Sequence, residues 1–253
     1  MMQIRKCLCI TAIIAVMLLS VHRFVYAQAD SLAKGQKVSP PDAQEDWANL
    51  AYYSTDNKNA GDRYLKKDRV VFMGNSITEL WAQVHPDFFK QHKNFIDRGI
   101  SGQTTAQMLL RFRQDVIDLK PAVVIILAGT NDMAENGGPV TDQQIFNNLL
   151  GMYELAKANH IKVAICSILP AYAYPWRPDI KPAQRIAHFN KLLRRYALAH
   201  QLPFVDFFSA MADQRAGLSD NLSRDGVHPN LKGYLVMERV LKQYPGLFRQ
   251  VEK

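Results

Sequence analysis

The sequence has little cysteine, and this limits how the fold can be held together. Three cysteines occur in 253 residues, and two of them, Cys7 and Cys9, fall in an apolar segment near the N-terminus. Cys166 is the one thiol in the rest of the chain, and a single thiol cannot form an internal disulfide. We therefore expect one domain held together by its hydrophobic core.

A hydrophobic run long enough to span a membrane is also missing. The apolar segment, residues 7–21, is shorter than the roughly 20 residues that a transmembrane helix needs. It follows Arg5 and Lys6 and precedes Val25 and Ala27, which is the layout of a secretory signal peptide. We expect cleavage after Ala27, export to the periplasm or the medium, and no stable membrane anchor.

These segments predict three regions along the chain. Residues 1–27 form the signal peptide, and residues 28–46 form a mobile polar lead-in that contains Pro40 and Pro41. Residues 47–253 form the single folded domain.

Blocks of like charge are absent as well. The formal net charge is +8, and it falls to +5 when the three basic residues of the signal peptide are removed. The excess is spread over segments typical of solvated helix faces, so we predict no nucleic-acid partner. Outside the predicted signal peptide, no His-Glu-x-x-His motif or paired-cysteine pattern supports a metal site, so no metal site and no cofactor are expected.

Short apolar runs alternate with longer amphipathic stretches. The runs are residues 69–74, 94–99, 122–129, 162–169 and 203–208. Apolar runs without polar alternation fit strands that are buried on both faces, and the stretches between them are long enough for crossover helices. The pattern predicts an α/β fold: a three-layer α/β/α sandwich with a mainly parallel sheet of about five strands.

Polar or glycine-bearing turns follow the predicted strands, where ligands bind in open parallel sheets. The turns read GNSIT, GISGQTT, GTND and, later, SRDGVHPN. Ser76, His228 and Asp225 supply the nucleophile, the base and the group orienting the base that acyl transfer needs. Gly102 offers a backbone N–H, and Asn131 a side-chain amide, to a developing oxyanion, beside the backbone N–H of Ser76.

Ser76 also has a purely structural interpretation. Three predicted helix starts carry a hydroxyl residue followed three positions later by Glu or Gln: Ser76 with Glu79, Thr104 with Gln107, and Thr141 with Gln144. Each is a capping-box pattern, so Ser76 can cap the helix after the first strand. The two roles can coincide.

The four turn sequences, in this order and at these separations, resemble the conserved blocks of the SGNH hydrolases, the GDSL esterase and lipase superfamily. The resemblance runs from about Arg69 to past Asn230. It implies a flavodoxin-like sheet order and assigns the catalytic and oxyanion-hole roles to the five residues named above. One departure is Asn75, which stands where the family usually has Asp and affects hydrogen bonding in the loop rather than proton transfer.

Other polar residues fit structural roles better. Asp132 is expected to hold its loop, because Asp bonds local backbone well. His85 precedes Pro86 in a loop after the predicted Ser76 helix, and Cys166 lies in an apolar strand typical of a buried, inert thiol.

Residues 170–182, hereafter the aromatic loop, show neither helical nor strand periodicity. They include Tyr172, Tyr174, Trp176 and Arg177. These side chains are candidates to bind a sugar or an acyl group, and burial of the aromatic rings against the domain is an equal alternative.

The sequence thus predicts an exported serine esterase that cleaves esters through a covalent acyl-enzyme. The expected substrate is a small-molecule or glycan ester, with short acyl groups such as acetyl removed from carbohydrate. Alternatives are a lysophospholipase or thioesterase with the same triad, a catalytically silent carbohydrate-binding relative, and a non-catalytic flavodoxin-like module that holds an anion at its helix starts.

Overall fold

The predicted strands pair into one parallel sheet in the computed structural model, which describes residues 46–66 and 68–248. The strands are β1 Val70–Gly74, β2 Phe95–Gly99, β3 Val123–Leu127, β4 Lys162–Cys166 and β5 Phe204–Val205. Their order, β2-β1-β3-β4-β5, is that of a flavodoxin-like sheet, so the predicted fold class is confirmed. The predicted signal peptide and all but the last residue of the lead-in lie outside the described residues.

Ten α-helices and three short 3-10 helices lie in the described part of the chain. The α-helices are α1 Ser54–Lys58, α2 Ala60–Arg63, α3 Ser76–Val84, α4 Pro86–Gln91, α5 Thr105–Asp115, α6 Thr130–Met133, α7 Asp142–Ala158, α8 Ala183–Ala199, α9 Phe207–Met211 and α10 Leu231–Leu241. The 3-10 helices are Ile117–Leu119, Asp220–Leu222 and Pro245–Leu247. Within these bounds, no helix is long and apolar enough to cross a bilayer.

Both faces of the sheet are covered, as the unbroken apolar strands predict. Successive side chains of a strand point to opposite faces, and in β1 Val71 and Met73 join one buried cluster while Val70 and Phe72 join the other. Helices α5, α7 and α8 contribute to the first cluster, and helices α3, α4, α9 and α10 contribute to the second. The result is a three-layer sandwich.

Aromatic packing fixes α3 against α10. The Trp81 ring stacks on Phe88 at 4.9 Å and on Tyr234 at 5.4 Å between ring centroids. Glu238 of α10 accepts a hydrogen bond from Trp81 Nε1 at 3.2 Å and lies 2.6 Å from His85 Nδ1. His85 therefore has an acidic partner, from a part of the chain 153 residues away.

The fifth strand is shorter than its apolar run predicts. Only Phe204–Val205 pairs with β4, because the Asp206 side chain accepts the Ser209 N–H at 3.0 Å and so begins α9. The last residues of the apolar run 203–208 therefore form the start of helix α9 instead of a longer strand.

Two of the three predicted capping boxes are confirmed. Thr104 and Thr141 each precede a helix, and their N–H groups donate to Gln107 at 3.0 Å and Gln144 at 2.9 Å. The third is wrong.

The residue that caps α3 is Asn75, whose Oδ1 accepts the Ile77 N–H at 3.1 Å. Ser76 is the first residue of the helix, and the Glu79 carboxylate turns away from the helix start to bind the Ser101 N–H at 2.8 Å. Because Asn75 performs the capping, the Ser76 hydroxyl is left for another partner.

Candidate active site

The Ser76 hydroxyl points at the turn that carries His228, across 152 residues of sequence. Ser76 Oγ lies 2.9 Å from His228 Nε2, and His228 Nδ1 lies 2.6 Å from Asp225 Oδ2. The structure thus joins these three predicted residues in one hydrogen-bonded chain. This is the order in which a serine, a base and an orienting carboxylate act in acyl transfer.

The sequence 223–230 folds into a tight turn around the Asp225 carboxylate. Asp225 Oδ1 accepts the N–H groups of Val227 at 2.9 Å and His228 at 2.8 Å, and Gly226, between Asp225 and Val227, adopts φ +77°. Ser223 Oγ donates to the His228 carbonyl at 2.7 Å. These hydrogen bonds from backbone N–H groups hold the Asp225 carboxylate in position beside the His228 imidazole.

The hydrogen bonds set the charge of the carboxylate. Partial burial acts to raise the pKa of Asp225, but the bonds from the His228 side chain and from the His228 and Val227 N–H groups outweigh it. The net pKa of Asp225 is lowered to about 2. Asp225 is thus an anion at neutral pH that faces the imidazole.

The loops after β1, β2 and β3 are bonded to each other at this edge of the sheet. Glu79 of α3 accepts hydrogen bonds from the Ser101 N–H and hydroxyl, and Asn131 Nδ2 donates to the Gln103 carbonyl at 2.9 Å. Gly102, between these two anchor points, adopts φ +80°, which favours glycine. The predicted oxyanion residues Gly102 and Asn131 therefore belong to one bonded assembly with the Ser76 helix.

Gly99 allows the second of these loops to approach the first. A Cβ atom at this position would lie 2.2 Å from Glu79 N and 2.7 Å from the Asn75 carbonyl oxygen. Both are backbone atoms at the start of α3, from its cap Asn75 and its residue Glu79, so only glycine lets β2 end this close to α3.

Two buried charged residues support the site without being predicted for it. Arg111 of α5 is fully buried, and its Nη2 donates to the carbonyls of Gly74 at 2.9 Å and Arg98 at 3.0 Å, the ends of β1 and β2. Asp115 lies 2.9 Å from Arg111 Nη1. The i,i+4 spacing of Arg111 and Asp115 was a usable signal, but the carbonyls to which Arg111 donates are remote in sequence.

The Asp132 carboxylate performs the loop-holding role expected of it. It is buried and accepts the Thr105 N–H at 2.9 Å and the Thr105 hydroxyl at 2.6 Å, joining the β3 loop to the start of α5. Burial raises the pKa of Asp132, and the Thr105 bonds oppose that rise. Cys166 is buried as predicted, and burial raises the pKa of its thiol.

The aromatic loop places its four candidate residues in different environments. Trp176 lies beside the site, with its ring centroid 6.2 Å from that of His228 and 42% of its surface exposed. Tyr172 is exposed under the guanidinium of Arg215. Arg177 is engaged with Glu135 and Asp179.

Tyr174 does not match its predicted role in substrate binding. It is fully buried in the core cluster that α5, α7 and α8 share, so its ring presents no surface to a substrate. The Tyr174 ring instead packs against the domain, which is the alternative role expected for the aromatic residues of this loop.

A cavity of about 430 Å³ adjoins the His228 side of the site. Its walls include Leu80 and Val84 of α3 and Leu231 of α10, and Arg224 stands among the lining residues. Leu80 and Val84 lie four and eight residues after Ser76, so one face of α3 leads from the hydroxyl into this groove. The site therefore has an apolar groove on the α3 side and an exposed indole at the aromatic loop.

Metal ligands do not cluster in the described ranges. No group of three or more His, Cys, Asp or Glu side chains is arranged there to hold an ion.

Comparisons with known proteins identify the family of the chain. The model of the GDSL-like Lipase/Acylhydrolase family matches residues 72–236. The structure of a candidate acylhydrolase from Bacteroides fragilis NCTC 9343 is 48% identical, with a TM-score of 0.77, over 83% of this chain and 100% of that one. A GDSL-like lipase from Bacteroides thetaiotaomicron VPI-5482 is 50% identical, with a TM-score of 0.73, over 78% of this chain and 96% of the other.

A curated relative is more distant. Esterase TesA of Pseudomonas aeruginosa is 31% identical over 137 residues, which is 54% of this chain and 61% of the esterase. The chain thus spans less than two thirds of the length of the curated relatives that it matches.

Proposed function

The chain belongs to the GDSL-like Lipase/Acylhydrolase family, and from this premise we propose that it is a serine ester hydrolase that works through a covalent acyl-enzyme. The observation that carries the proposal is the chain of hydrogen bonds from Ser76 Oγ to His228 Nε2 at 2.9 Å and from His228 Nδ1 to Asp225 at 2.6 Å. A serine hydroxyl needs such a base to become a nucleophile at neutral pH.

The first half of the reaction transfers the acyl group to Ser76. The Ser76 oxygen attacks the ester carbonyl carbon while His228 Nε2 takes the hydroxyl proton, and Asp225 stabilises the imidazolium that forms. The N–H groups of Ser76 and Gly102 and the amide of Asn131 donate to the oxyanion of the tetrahedral intermediate. His228 then returns the proton to the departing alcohol oxygen, and the C–O bond to the alcohol breaks.

The second half releases the acid. A water molecule attacks the acyl carbon of Ser76 as His228 takes its proton, and the second tetrahedral intermediate collapses with the Ser76 oxygen as leaving group. The serine regains its proton from His228. The net reaction consumes one water and yields an alcohol and a carboxylic acid.

The exposed indole beside the base supports a carbohydrate ester as substrate. Trp176 lies 6.2 Å from the His228 ring, which is the side where the alcohol must leave. An aromatic face in this position can stack on the apolar face of a sugar. The proposed reaction is the removal of short acyl groups, acetyl foremost, from a small or glycan ester outside the cytoplasm, with no nucleic-acid partner.

The apolar groove favours a second candidate function. Leu80, Val84 and Leu231 line about 430 Å³ beside His228, which suits a longer hydrocarbon chain. A lysophospholipase or thioesterase of the same mechanism would use this groove. Rates on p-nitrophenyl esters of increasing chain length, measured beside release of acetate from acetylated xylan, separate the two. Highest kcat/KM at two carbons together with acetate release supports the first, and an optimum at eight or more carbons supports the second.

A binding module without catalysis would leave the serine unreactive, and one variant tests this. Ser76→Ala should keep the fold and lower kcat by several orders of magnitude, and a fluorophosphonate should label Ser76 alone in the unaltered protein. Ser209→Ala is the matched control, because its hydroxyl is exposed and donates to Asp206, away from the Ser76 site. Full activity of Ser76→Ala would refute the proposed nucleophile.

Export is a further part of the proposal and depends on residues 1–27. Mass spectrometry of the protein recovered from outside the cytoplasm should find Gln28 at its N-terminus, and an intact Met1 there would contradict it.

A further inference from the structure

The turn after α6, residues 134–136, is held by two consecutive side chains of the aromatic loop. Arg177 donates to the Ala134 carbonyl at 3.1 Å and to the Glu135 carboxylate at 3.2 Å. Trp176 Nε1 donates to Asn136 Oδ1 at 3.0 Å. Three bonds thus fix this turn to the loop that lies next to His228.

Asn136 connects Trp176 to Asn131, the residue proposed for the oxyanion hole. Its Nδ2 donates to Asn131 Oδ1 at 2.8 Å, and its backbone N–H donates to the Asn131 carbonyl at 2.9 Å. Asn131 Nδ2 in turn donates to the Gln103 carbonyl at 2.9 Å. Trp176, Asn136 and Asn131 form a row of donors and acceptors, called here the amide relay, that ends at the backbone beside Gly102.

The two ends of the amide relay determine which way its amides face. An indole N–H can only donate, and a backbone carbonyl can only accept. Asn136 must therefore turn its oxygen to Trp176 and its NH₂ group to Asn131. Asn131 must turn its oxygen to Asn136 and its NH₂ group to Gln103, which uses one of the two N–H bonds of that group and leaves the other for an oxyanion.

We propose that Asn136 is a positioning residue for ester hydrolysis, and that the Trp176 N–H fixes its orientation. The proposal rests on the proposed role of Asn131 in the oxyanion hole. Asn131 is 4% exposed, so its amide has few partners other than those in the relay. A reversed Asn131 amide would aim its carbonyl oxygen at the developing negative charge and repel it.

Asn136→Asp tests the relay through charge. A carboxylate accepts the Trp176 N–H but has no donor for Asn131 Oδ1, so the Asn131 amide is driven to reverse and give its NH₂ group to Asp at 136. We expect kcat to fall by roughly 10²-fold with KM changed less than about threefold, because the oxyanion donor acts mainly in the transition state. Asn147→Asp, on the exposed face of α7, is the matched control and should leave kcat unchanged.

Trp176→Phe is the second variant, which keeps the ring beside His228 and removes only the N–H. Loss of one hydrogen bond should lower kcat by roughly three- to tenfold. This variant decides the question if Asn136→Asp fails to fold, as judged by its melting curve. An unchanged kcat in either folded variant overturns the proposal.

The double variant Asn131→Ala with Asn136→Asp separates positioning from general disruption. If Asn136 acts through Asn131, adding Asn136→Asp should have little further effect once the Asn131 amide is gone. Equal losses in both backgrounds would overturn the proposal. An inactive Ser76→Ala beside a fully active Asn131→Ala would instead show that the assigned oxyanion hole is wrong while the nucleophile stands.

Discussion

Asp225→Asn isolates the contribution of one charge, because most of the geometry around residue 225 survives the change. In the native turn Oδ1 accepts the Val227 and His228 N–H groups at 2.9 and 2.8 Å, and Oδ2 faces His228 Nδ1 at 2.6 Å. An asparagine keeps its oxygen on the backbone N–H groups and turns its NH₂ group to the ring. The ring nitrogen facing residue 225 must then accept a hydrogen bond.

The expected loss follows from the tautomer of His228. A ring that accepts at Nδ1 carries its proton on Nε2, which lies 2.9 Å from Ser76 Oγ and can no longer take the serine proton. Such a tautomer change in a serine triad lowers kcat by roughly 10⁴-fold, or about 5 kcal/mol in the barrier. The fold should lose about 1 kcal/mol or less, because the Asp225 side chain is 41% exposed and solvent screens its charge.

The assay compares kcat/KM on p-nitrophenyl acetate with the melting temperature of the same preparation. Asp220→Asn is the matched control, since Asp220 lies near the same turn with its side chain 92% exposed. A folded Asp225→Asn protein within tenfold of wild-type activity would refute the orienting role given to Asp225.

Two further predictions concern stability. Burial raises the pKa of Asp97 from 3.8 to about 7, so the folded state holds a proton that the unfolded state loses, and the free energy of unfolding should fall as pH rises from about 4 to 7. Urea titrations across this range should show a smaller fall for Asp97→Asn, and an identical fall in both proteins would contradict the assignment. Gly99→Ala should lower the free energy of unfolding by about 1–3 kcal/mol or more and reduce activity, because its Cβ would lie 2.2 Å from Glu79 N. Gly246→Ala, whose Cβ meets nothing within 4 Å, is its control, and equal melting temperatures for the two variants would count against the close approach of β2 to the start of α3.

Local patterns in the sequence were enough to predict the sheet and the segments that meet at its edge. The five apolar runs form strands that are buried on both faces. Such a strand needs an apolar side chain at nearly every position, so it is visible as a run of consecutive apolar residues. Thr104 and Thr141 begin helices as predicted, since a capping box needs only residues three positions apart. Asp225 and His228 bond across three residues, so their pairing also has a local cause.

The tertiary structure alone decided which partner each remaining polar group takes. By sequence alone, the Glu79 carboxylate could accept the Ser76 N–H in a capping box. It binds the Ser101 N–H instead, because β2 ends close to α3. Glu238 meets His85 across 153 residues, and Trp176 meets Asn136 across 40. No periodicity links such pairs in the sequence, because they are brought together by the packing of helices on the sheet rather than by the turn of any one element.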